Sequence, residues 1–228
     1  MSGILTLVPT PIDDISPLCS VAKEALLKAV ENGDHIYIEE PKAARRRWLR
    51  FGLPREAIEN FVVYNEHTRE DQCQKAVRDL KSGKNIFLMS DCGLPAFCDP
   101  GVELVELCHS AGLRVTSMPF ANSIALAVAL SGIPHNKFIF EGFVSNKKPD
   151  RSKEIKRMAH QKEVTIIMDT PYRLKKLLEE FTEHCPDREA FLGLELNKST
   201  EKLIKGPISY INSHVENEKK EFILILGL

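Results

Sequence analysis

Residues 89–101 read M-S-D-C-G-L-P-A-F-C-D-P-G, and this segment is the most informative part of the chain about its fold. It follows Asn85–Ser90, a nearly continuous apolar run that predicts a strand buried on both faces. It leads into Gly101–Ala111, which has the spacing of an amphipathic helix. A strand that passes through a loop into a helix is the repeating unit of a parallel α/β sheet, and ligands bind at the carboxyl ends of such strands.

The rest of the first half alternates between strand-like and helix-like segments in the same way. The predicted strands are Ile4–Val8, His35–Glu39, Phe61–Tyr64 and Arg114–Met118. The predicted helices are Ser20–Glu31, Ala43–Phe51, Arg69–Ser82 and Asn122–Ser131. This alternation predicts a largely parallel sheet covered by helices, and therefore an α/β fold class.

The composition changes around Glu141–Lys153, where polar and basic residues surround Pro149. We interpret this segment as a linker between two α/β domains, residues 1–143 and residues 144–228. In the second domain the predicted strands are Val164–Met168, Ala190–Leu196 and Phe222–Leu226, with Thr200–Lys205 as a candidate antiparallel strand. The predicted helices are Lys153–His160, Tyr172–Cys185 and Pro207–Val215.

The bulk composition excludes several classes of protein. The 228 residues are 43% hydrophobic and 28% charged, with a formal net charge of −1, so disorder is not expected and any RNA contact must come from a local patch. The sequence has neither a secretory signal pattern nor an apolar run long enough to span a membrane, so we expect a cytoplasmic protein. The six cysteines and seven histidines lack the paired spacing of metal ligands, so we expect reduced thiols and no metal site.

Two loops have a composition that suits ligand binding. In the first, Gly93 permits an unusual turn or a close backbone approach, prolines stiffen the loop, and Asp99 is placed to cap the next helix. In the second, the Pro9–Pro11 turn lacks backbone donors and offers carbonyls, which favours a cationic or amine-bearing ligand over a pyrophosphate. An ordinary strand-to-helix connection and a rigid surface turn are the structural alternatives.

The same residues carry a resemblance to a known family. Residues 89–101 resemble the S-D-A-G-T-P…D-P-G signature of the tetrapyrrole (corrin/porphyrin) methylases, in the branch of the ribosomal RNA small-subunit methyltransferases I. In chain order, Leu7–Ile12 resembles the V-P-T-P-I-G-N of that branch, Ile133–Phe143 its L-P-x-x-x-F-x-x-E-G-F, Asp169–Arg173 its E-S-x-H-R and Glu195–Lys198 its E-L-T-K. Each match alone would be weak, but ordered matches at the right spacing are specific.

The resemblance implies a fold, a cofactor and a substrate. It implies two α/β domains with S-adenosyl-L-methionine in the cleft between them, a homodimer, and methyl transfer to a ribose 2′-hydroxyl of ribosomal RNA. Carried over by position, the cofactor contacts would be Pro9, Pro11, Ile12, Leu94 and Phe97 in the first domain, Ser123 and Ile124 at a helix start, and Met168 and Gly193 in the second domain.

The chain departs from the pattern of that branch around the expected cleft. Asp13 and Asp14 stand where glycine and asparagine usually follow P-T-P-I, Glu39–Lys42 replaces E-D-T-R, and Leu94 replaces the signature threonine. These departures leave the methyl acceptor open. The alternatives are methylation of a small molecule or a protein side chain, and a non-catalytic homologue that binds the cofactor or RNA.

Carboxylates near the expected cleft are the candidates for orienting an acceptor hydroxyl or accepting its proton. By location these are Glu40, Glu66 and Asp91, and each is equally compatible with a structural hydrogen bond.

A basic helix is the best candidate for an RNA-facing surface. On a helix, Lys42, Arg45, Arg46 and Arg50 share one side, whereas Ala44, Trp48 and Phe51 pack inward. Phosphates would bind such a stripe, although a solvated helix face has the same pattern. We interpret a second basic cluster as a solvated linker, formed by Lys147, Lys148, Arg151 and Lys153.

Overall fold

The computed structural model describes residues 2–120, 122–217 and 219–228. Contacts within the chain divide it into two compact units, Met1–Asn122 and Ser123–Leu228, and each unit contains its own sheet. Helices alternate with strands in both, which confirms the α/β fold class. In the described part of the chain, no helix is both long enough and apolar enough to cross a membrane.

The first unit is built on a parallel sheet of five strands in the order β3-β2-β4-β1-β5. The strands are β1 (Ile4–Val8), β2 (His35–Ile38), β3 (Val62–Val63), β4 (Ile86–Met89) and β5 (Arg114–Ser117). The helices are α1 (Ser20–Asn32), α2 (Pro41–Arg50), α3 (Arg69–Lys81) and α4 (Val102–Ser110). The parallel sheet predicted from the alternating segments is confirmed.

Apolar cores cover both faces of this first sheet. Ile38 and Met89 pack with Trp48 of α2 and Leu26 of α1 on one face. On the other face the strands pack against α3 and α4, through residues such as Leu5, Ile86, Leu88, Leu80 and Leu104. All four residues of β4 are buried, as expected for a central strand of a parallel sheet.

The second unit has a mixed sheet in the order β6-β7-β10-β8-β9. Its strands are β6 (Phe138–Phe143), β7 (Val164–Met168), β8 (Glu189–Leu194), β9 (Lys202–Pro207) and β10 (Phe222–Leu226). Its helices are α5 (Ser123–Ser131), α6 (Lys148–Ala159), α7 (Leu174–His184) and α8 (Ile208–Ser213). The candidate antiparallel strand is confirmed as β9, which pairs antiparallel with β8.

The prediction of a linker at Glu141–Lys153 is wrong. Strand β6 extends to Phe143 and pairs in parallel with β7, and α6 already begins at Lys148. The register of β6 shifts next to Gly142, whose φ is 69°, and this irregularity disrupts the alternating pattern of a strand. Pro149 lies in the first turn of α6, where its missing N–H breaks no helical hydrogen bond.

The division between the two units also lies earlier in the chain than the composition suggested. It falls at Asn122 and Ser123 rather than at residues 143 and 144. Helix α5 packs on β8 and β10, and β6 completes the sheet beside β7, so both elements belong to the second unit.

Candidate active site

The loops that were singled out in the sequence meet at one edge of the first sheet. Strand β4 pairs in parallel with β1 on one side and with β2 on the other, so the carboxyl ends of these three strands lie side by side. The loops that follow them begin at Pro9, Glu39 and Ser90. The topology therefore gathers these loops at the edge where α/β sheets bind their ligands.

Two of these loops are joined by a short antiparallel bridge between Thr10 and Gly93. The N–H of Thr10 donates to the Gly93 carbonyl at 2.9 Å, and the Gly93 N–H donates to the Thr10 carbonyl at 3.1 Å. The Ser90 hydroxyl also donates to the Gly93 carbonyl, at 2.7 Å, and the Thr10 hydroxyl donates to the Ser90 carbonyl at 3.2 Å. The bridge fixes the Pro9–Pro11 turn against residues 90–93.

The loop after β4 has an unusual backbone. Gly93 has a φ of 82°, which supports the expectation of a special turn there, whereas Ala96 and Cys98 have φ values of 62° and 63° without being glycine. Among the described residues, the other non-glycine residues with positive φ are Glu195 and Asn197, in the second unit. All of these residues lie in segments that match family motifs, and strain of this kind concentrates at functional sites.

Asp99 does not cap α4, so that expectation was wrong. The residue before the helix is Gly101, which makes no side-chain capping bond and has a φ of 136°. A Cβ at Gly101 would lie 2.9 Å from Leu88 Cδ2 and 3.1 Å from Ala96 Cβ, so the close fit of the loop against β4 requires glycine here. The Asp99 carboxyl lies instead among other acidic groups.

Three carboxyl groups at this edge have raised pKa values. Burial, together with the charge of Glu39, raises the pKa of Asp91 to about 6. Burial, together with the charges of Glu39 and Asp91, raises the pKa of Asp99 to about 7. Burial and the charge of Glu66 raise the pKa of Glu39, although the Asp91 N–H donates to its carboxylate. Sequence analysis missed Glu39 and Asp99, because only the fold brings them beside Asp91.

The three predicted catalytic candidates have different surroundings. Glu40 Oε2 accepts a hydrogen bond from the Ala43 N–H at 2.6 Å, and the N–H groups of Ala43 and Lys42 lower the Glu40 pKa, so this side chain caps α2. Glu66 is exposed, and its charge acts on Glu39. Asp91 Oδ1 is buried and has no hydrogen-bond partner among the described residues. Asp91 is therefore the candidate whose surroundings best suit proton transfer near neutral pH.

Helix α2 holds the loop after β1 in place. Ala44, Trp48 and Phe51 are buried as predicted. Arg47 is also buried, and its Nη1 donates to the Pro11 carbonyl at 2.8 Å. The Arg50 guanidinium donates to the Ser16 carbonyl at 2.7 Å. Part of the basic run is therefore structural, while Arg45 and Arg46 are exposed.

The same loop is braced from within by one of the aspartates that departs from the family pattern. Asp13 is 3% exposed, and its Oδ1 accepts hydrogen bonds from the N–H groups of Ile15, at 2.7 Å, and Ser16, at 2.5 Å. Burial opposes ionisation, but the Ser16 and Ile15 hydrogen bonds and the Arg50 charge together lower the Asp13 pKa. The departure at this position thus has a structural role.

The predicted cofactor contacts fall into two groups, one in each unit. In the first unit, Pro9 is buried, Pro11, Ile12 and Leu94 are half-buried, and Phe97 is 38% exposed. In the second unit, Met168 and Gly193 lie on either side of Ile223 in one row across three strands, and Ser123 and Ile124 begin α5. The structure thus places Met168 and Gly193 in one row of the second sheet, and the Thr10–Gly93 bridge joins the two loops that carry the contacts of the first unit.

The Asp169–Arg173 segment is organised by buried ion pairs in the second unit. Asp169 is 5% exposed and pairs with Arg151 Nη1 at 3.0 Å and with Arg173 Nη1 at 3.1 Å. Arg151 is 3% exposed and also donates to Glu180. The interpretation of Arg151 as part of a solvated linker is therefore wrong, because its guanidinium joins α6 to the end of β7 and to α7.

Comparisons with known proteins agree with this architecture. Residues 6–212 match the model of the family described as Tetrapyrrole (Corrin/Porphyrin) Methylases. Ribosomal RNA small subunit methyltransferase I of Bacillus subtilis (strain 168) is 35% identical over 226 residues, covering 98% of this chain and 75% of that protein. The protein of the same name from Thermotoga maritima is 30% identical over 217 residues, covering 95% of this chain and 94% of that protein.

Solved structures share the fold at low sequence identity. A diphthine synthase superimposes with a TM-score of 0.69 at 14% identity, covering 98% of this chain and 89% of the other. A cobalamin biosynthetic enzyme, cobalt precorrin-4 methyltransferase, superimposes with a TM-score of 0.66 at 13% identity, covering 99% of this chain and 94% of the other. At these identities the likeness concerns the fold alone.

Proposed function

Because the chain belongs to the tetrapyrrole (corrin/porphyrin) methylase family and is an S-adenosyl-L-methionine-dependent methyltransferase, we propose that it methylates a ribose 2′-hydroxyl of small-subunit ribosomal RNA. The observation that carries the choice of RNA is the match to ribosomal RNA small subunit methyltransferase I over 98% of the chain. We propose a cytoplasmic location, in keeping with a ribosomal RNA substrate. We further propose that it acts as a homodimer.

The residues at the edge of the first sheet fit the cofactor chemically. S-adenosyl-L-methionine supplies a methyl group on a sulfonium cation, and it carries ammonium and ribose hydroxyl donors. The edge offers the carboxyl groups of Glu39 and Asp99, which are acceptors suited to such donors. In this proposal Pro9, Pro11, Ile12, Leu94 and Phe97 bind the cofactor from the first unit. Ser123, Ile124, Met168 and Gly193 are further proposed contacts that the family resemblance implies.

Asp91 is the proposed proton acceptor for the ribose hydroxyl. A carboxylate with a pKa of about 6 is largely ionised at neutral pH and is a stronger base than an ordinary aspartate. The Glu40 N–H donates to the Asp91 carboxylate and orients it. Glu40 itself acts through the cap of α2, and Glu66 acts through its charge on Glu39.

The first experiment tests cofactor binding and acceptor class. Calorimetry is expected to show one site for S-adenosyl-L-methionine or S-adenosylhomocysteine per chain. Labelled cofactor is then incubated with total RNA, protein and metabolite pools, and label is expected in small-subunit ribosomal RNA. After the modified nucleotide is mapped, an RNA with 2′-deoxyribose at that position is expected to accept no methyl group.

Each alternative has its own outcome in that experiment. Label in protein or metabolites, but not in RNA, would establish a different acceptor, and cofactor binding without transfer to any pool would establish a non-catalytic homologue. Folded protein that binds no cofactor at millimolar concentration would overturn the enzyme assignment. Transfer to the 2′-deoxy RNA would overturn ribose as the acceptor.

A substitution tests the role of Asp91. Asp91→Asn is expected to lower kcat by roughly 10²- to 10⁴-fold, the usual contribution of a general base, with cofactor affinity nearly unchanged. In the wild type, kcat/KM is expected to fall as the pH drops below about 6, because the Asp91 carboxylate of the free enzyme becomes protonated. An unchanged kcat in Asp91→Asn would eliminate this residue as the base.

A further inference from the structure

An exposed aromatic ring projects from the second unit where β7 ends. Tyr172 is 75% exposed and lies in a short 3₁₀ turn, Pro171–Arg173, that leads into α7. Burial of an aromatic side chain contributes strongly to stability, and the exposed Tyr172 ring gains little stability in this way. A tyrosine this exposed has its ring surface available to a partner.

The turn that carries Tyr172 is firmly held. The Thr170 N–H donates to Asp169 Oδ1 at 2.8 Å, and the Arg173 N–H donates to the Thr170 carbonyl at 2.9 Å. Arg173 Nη1 contacts Asp169 Oδ1 at 3.1 Å and the Val144 carbonyl at 3.3 Å. The backbone on both sides of Tyr172 is therefore braced, so the ring is presented from a rigid base.

A lysine from a distant part of the chain lies against this ring. Lys219 Nζ is 4.9 Å from the centre of the Tyr172 ring, within the range of a cation–π contact. Lys175 Nζ donates to the carbonyls of Asn212, at 2.6 Å, and Val215, at 3.0 Å, and so ties the end of α8 and the residues just after it to the start of α7. The Tyr172 ring and the Lys219 ammonium come from separate segments of the chain and lie together.

We propose that Tyr172 stacks against an unpaired RNA base and that Lys219 contacts a phosphate beside that base. Proteins that bind single-stranded RNA combine exposed aromatic rings, which stack on bases, with cationic groups that follow the backbone. An apolar protein partner would have to desolvate the Lys219 ammonium, whereas a phosphate would neutralise it. The proposal rests on the proposed function and adds to it a base-binding subsite.

Another tyrosine of the same unit provides a matched control. Tyr210 is 46% exposed, but its ring lies 4.0 Å from the His214 ring, at an angle of 34° between the planes. Because Tyr210 already stacks within the protein, we expect it to contribute nothing to RNA binding. Tyr210→Ala removes the same atoms as Tyr172→Ala does, from another exposed tyrosine of the second unit.

The test measures affinity for two single-stranded oligonucleotides of equal length in the presence of S-adenosylhomocysteine. One is an ordinary RNA, and the other is an abasic strand with the same ribose-phosphate backbone. Tyr172→Ala is expected to weaken binding of the RNA by roughly 5- to 150-fold, the range for stacking of one base, without weakening binding of the abasic strand. Tyr172→Phe and Tyr210→Ala are expected to bind both strands as the wild type does. Lys219→Ala is expected to lower the log–log salt slope by about 0.7.

Failure of the subsite is distinguishable from failure of the proposed function. If the wild type methylates ribosomal RNA and Tyr172→Ala binds the RNA equally well, the stacking subsite is wrong and the function stands. An equal loss of affinity for both strands would also overturn the subsite, because the ring would then not contact a base. If the wild type neither binds nor methylates RNA, both proposals fail.

Discussion

Gly93 connects the two loops that lie nearest the proposed methyl-transfer site. Its φ of 82° lies in the left-handed region, where a residue with a Cβ is strained by roughly 1–2 kcal/mol. A Cβ added at Gly93 would meet no atom within 4 Å, so a substitution acts through the backbone rather than through a clash. A substitution at Gly93 is therefore expected to disturb the Thr10–Gly93 bridge and, with it, the loop expected to bind the cofactor.

Gly93→Val is expected to abolish measurable cofactor binding while the far-UV circular dichroism stays close to that of the wild type. Valine is β-branched and disfavours positive φ strongly, so the loop shifts and the bridge to Thr10 weakens. The control is Gly33→Val, because Gly33 has a φ of 68° and equally open surroundings at the end of α1. Calorimetry measures the cofactor affinity of both variants. If the two affinities are equal, the cofactor does not bind at the loop that contains Gly93.

The raised pKa values of Asp91 and Asp99 predict how stability depends on pH. Both folded-state pKa values, about 6 and about 7, lie above the ordinary value of 3.8, so between these limits the folded state binds more protons than the unfolded state. The stability contributed by the protonated forms is complete below about pH 4 and is lost as the pH rises to about 7. Ionised carboxylates at this edge therefore destabilise the first unit at neutral pH.

Asp99→Asn is expected to raise the Tm at pH 8 and to leave it nearly unchanged at pH 4. The amide removes the charge that burial and the neighbouring carboxylates oppose, and this charge is present only at the higher pH. Asp187→Asn removes an exposed carboxylate and serves as the control, with no gain expected at either pH. Thermal unfolding at both pH values tests this, and a lower Tm for Asp99→Asn at pH 8 would contradict it.

At the scale of the element, helix α2 shows how one basic run serves two purposes. Trp48 anchors the helix in the core, and Arg47 and Arg50 hold the Pro11 and Ser16 carbonyls. Arg45 and Arg46 remain exposed, and Arg46 pairs with Asp14 on the surface at 3.5 Å. Such an exposed pair contributes little to stability, so these two arginines are available to RNA phosphates.

The double variant Arg45→Glu, Arg46→Glu is expected to weaken ribosomal RNA binding and to lower the log–log salt slope by roughly 0.7 to 0.9 for each lost phosphate contact. Cofactor affinity is expected to stay nearly constant, because Arg46 contacts the loop after β1 only through an exposed pair with Asp14 at 3.5 Å, which contributes little, whereas the buried Arg47 holds that loop. The matched control reverses two exposed basic residues of α3, Lys75 and Arg78. If both double variants bind RNA alike, the exposed side of α2 is only a solvated face, and a small-molecule or protein acceptor becomes the better hypothesis.

At the scale of the whole molecule, each unit has the parts of an independently folding domain. The second unit has its own five-stranded sheet and a core that includes Phe181, Leu192 and Leu224. Strand β6 covers one side of β7 through parallel pairing, and α5 packs on β8 and β10. Both elements precede residue 144, so a fragment that begins there lacks them.

A fragment of residues 123–228 is expected to fold alone and to unfold cooperatively in urea, whereas residues 144–228 are expected to show no cooperative transition. The shorter fragment leaves the pairing edge of β7 and the apolar surface under α5 exposed to water. Circular dichroism during urea titration measures both. Equal cooperativity in the two fragments would show that β6 and α5 contribute no essential part of this core.

Features that depend on local patterns could be predicted from the amino-acid sequence alone. Strands β1, β7 and β10 have the predicted bounds, because runs such as Phe222–Leu226 are apolar throughout and end at polar or turn residues. The alternation of strands and helices fixed the α/β class. Ordered motifs indicated the family. A motif does not show, however, which other loop it contacts in the folded protein.

Contacts between side chains from distant segments could not be predicted and follow from the folded structure. Thr10 reaches Ser90 across 80 positions of the chain, and Arg47 reaches Pro11 across 36. The pKa values of Asp91 and Asp99 are raised by burial and by the charge of Glu39, which follows β2, whereas the two aspartates follow β4. Likewise, Arg151 is buried only because Asp169 and Glu180 neutralise it. The physical reason is that periodicity reports the burial of each segment separately, whereas charge, strain and proton affinity depend on neighbours that the topology of the sheet brings together.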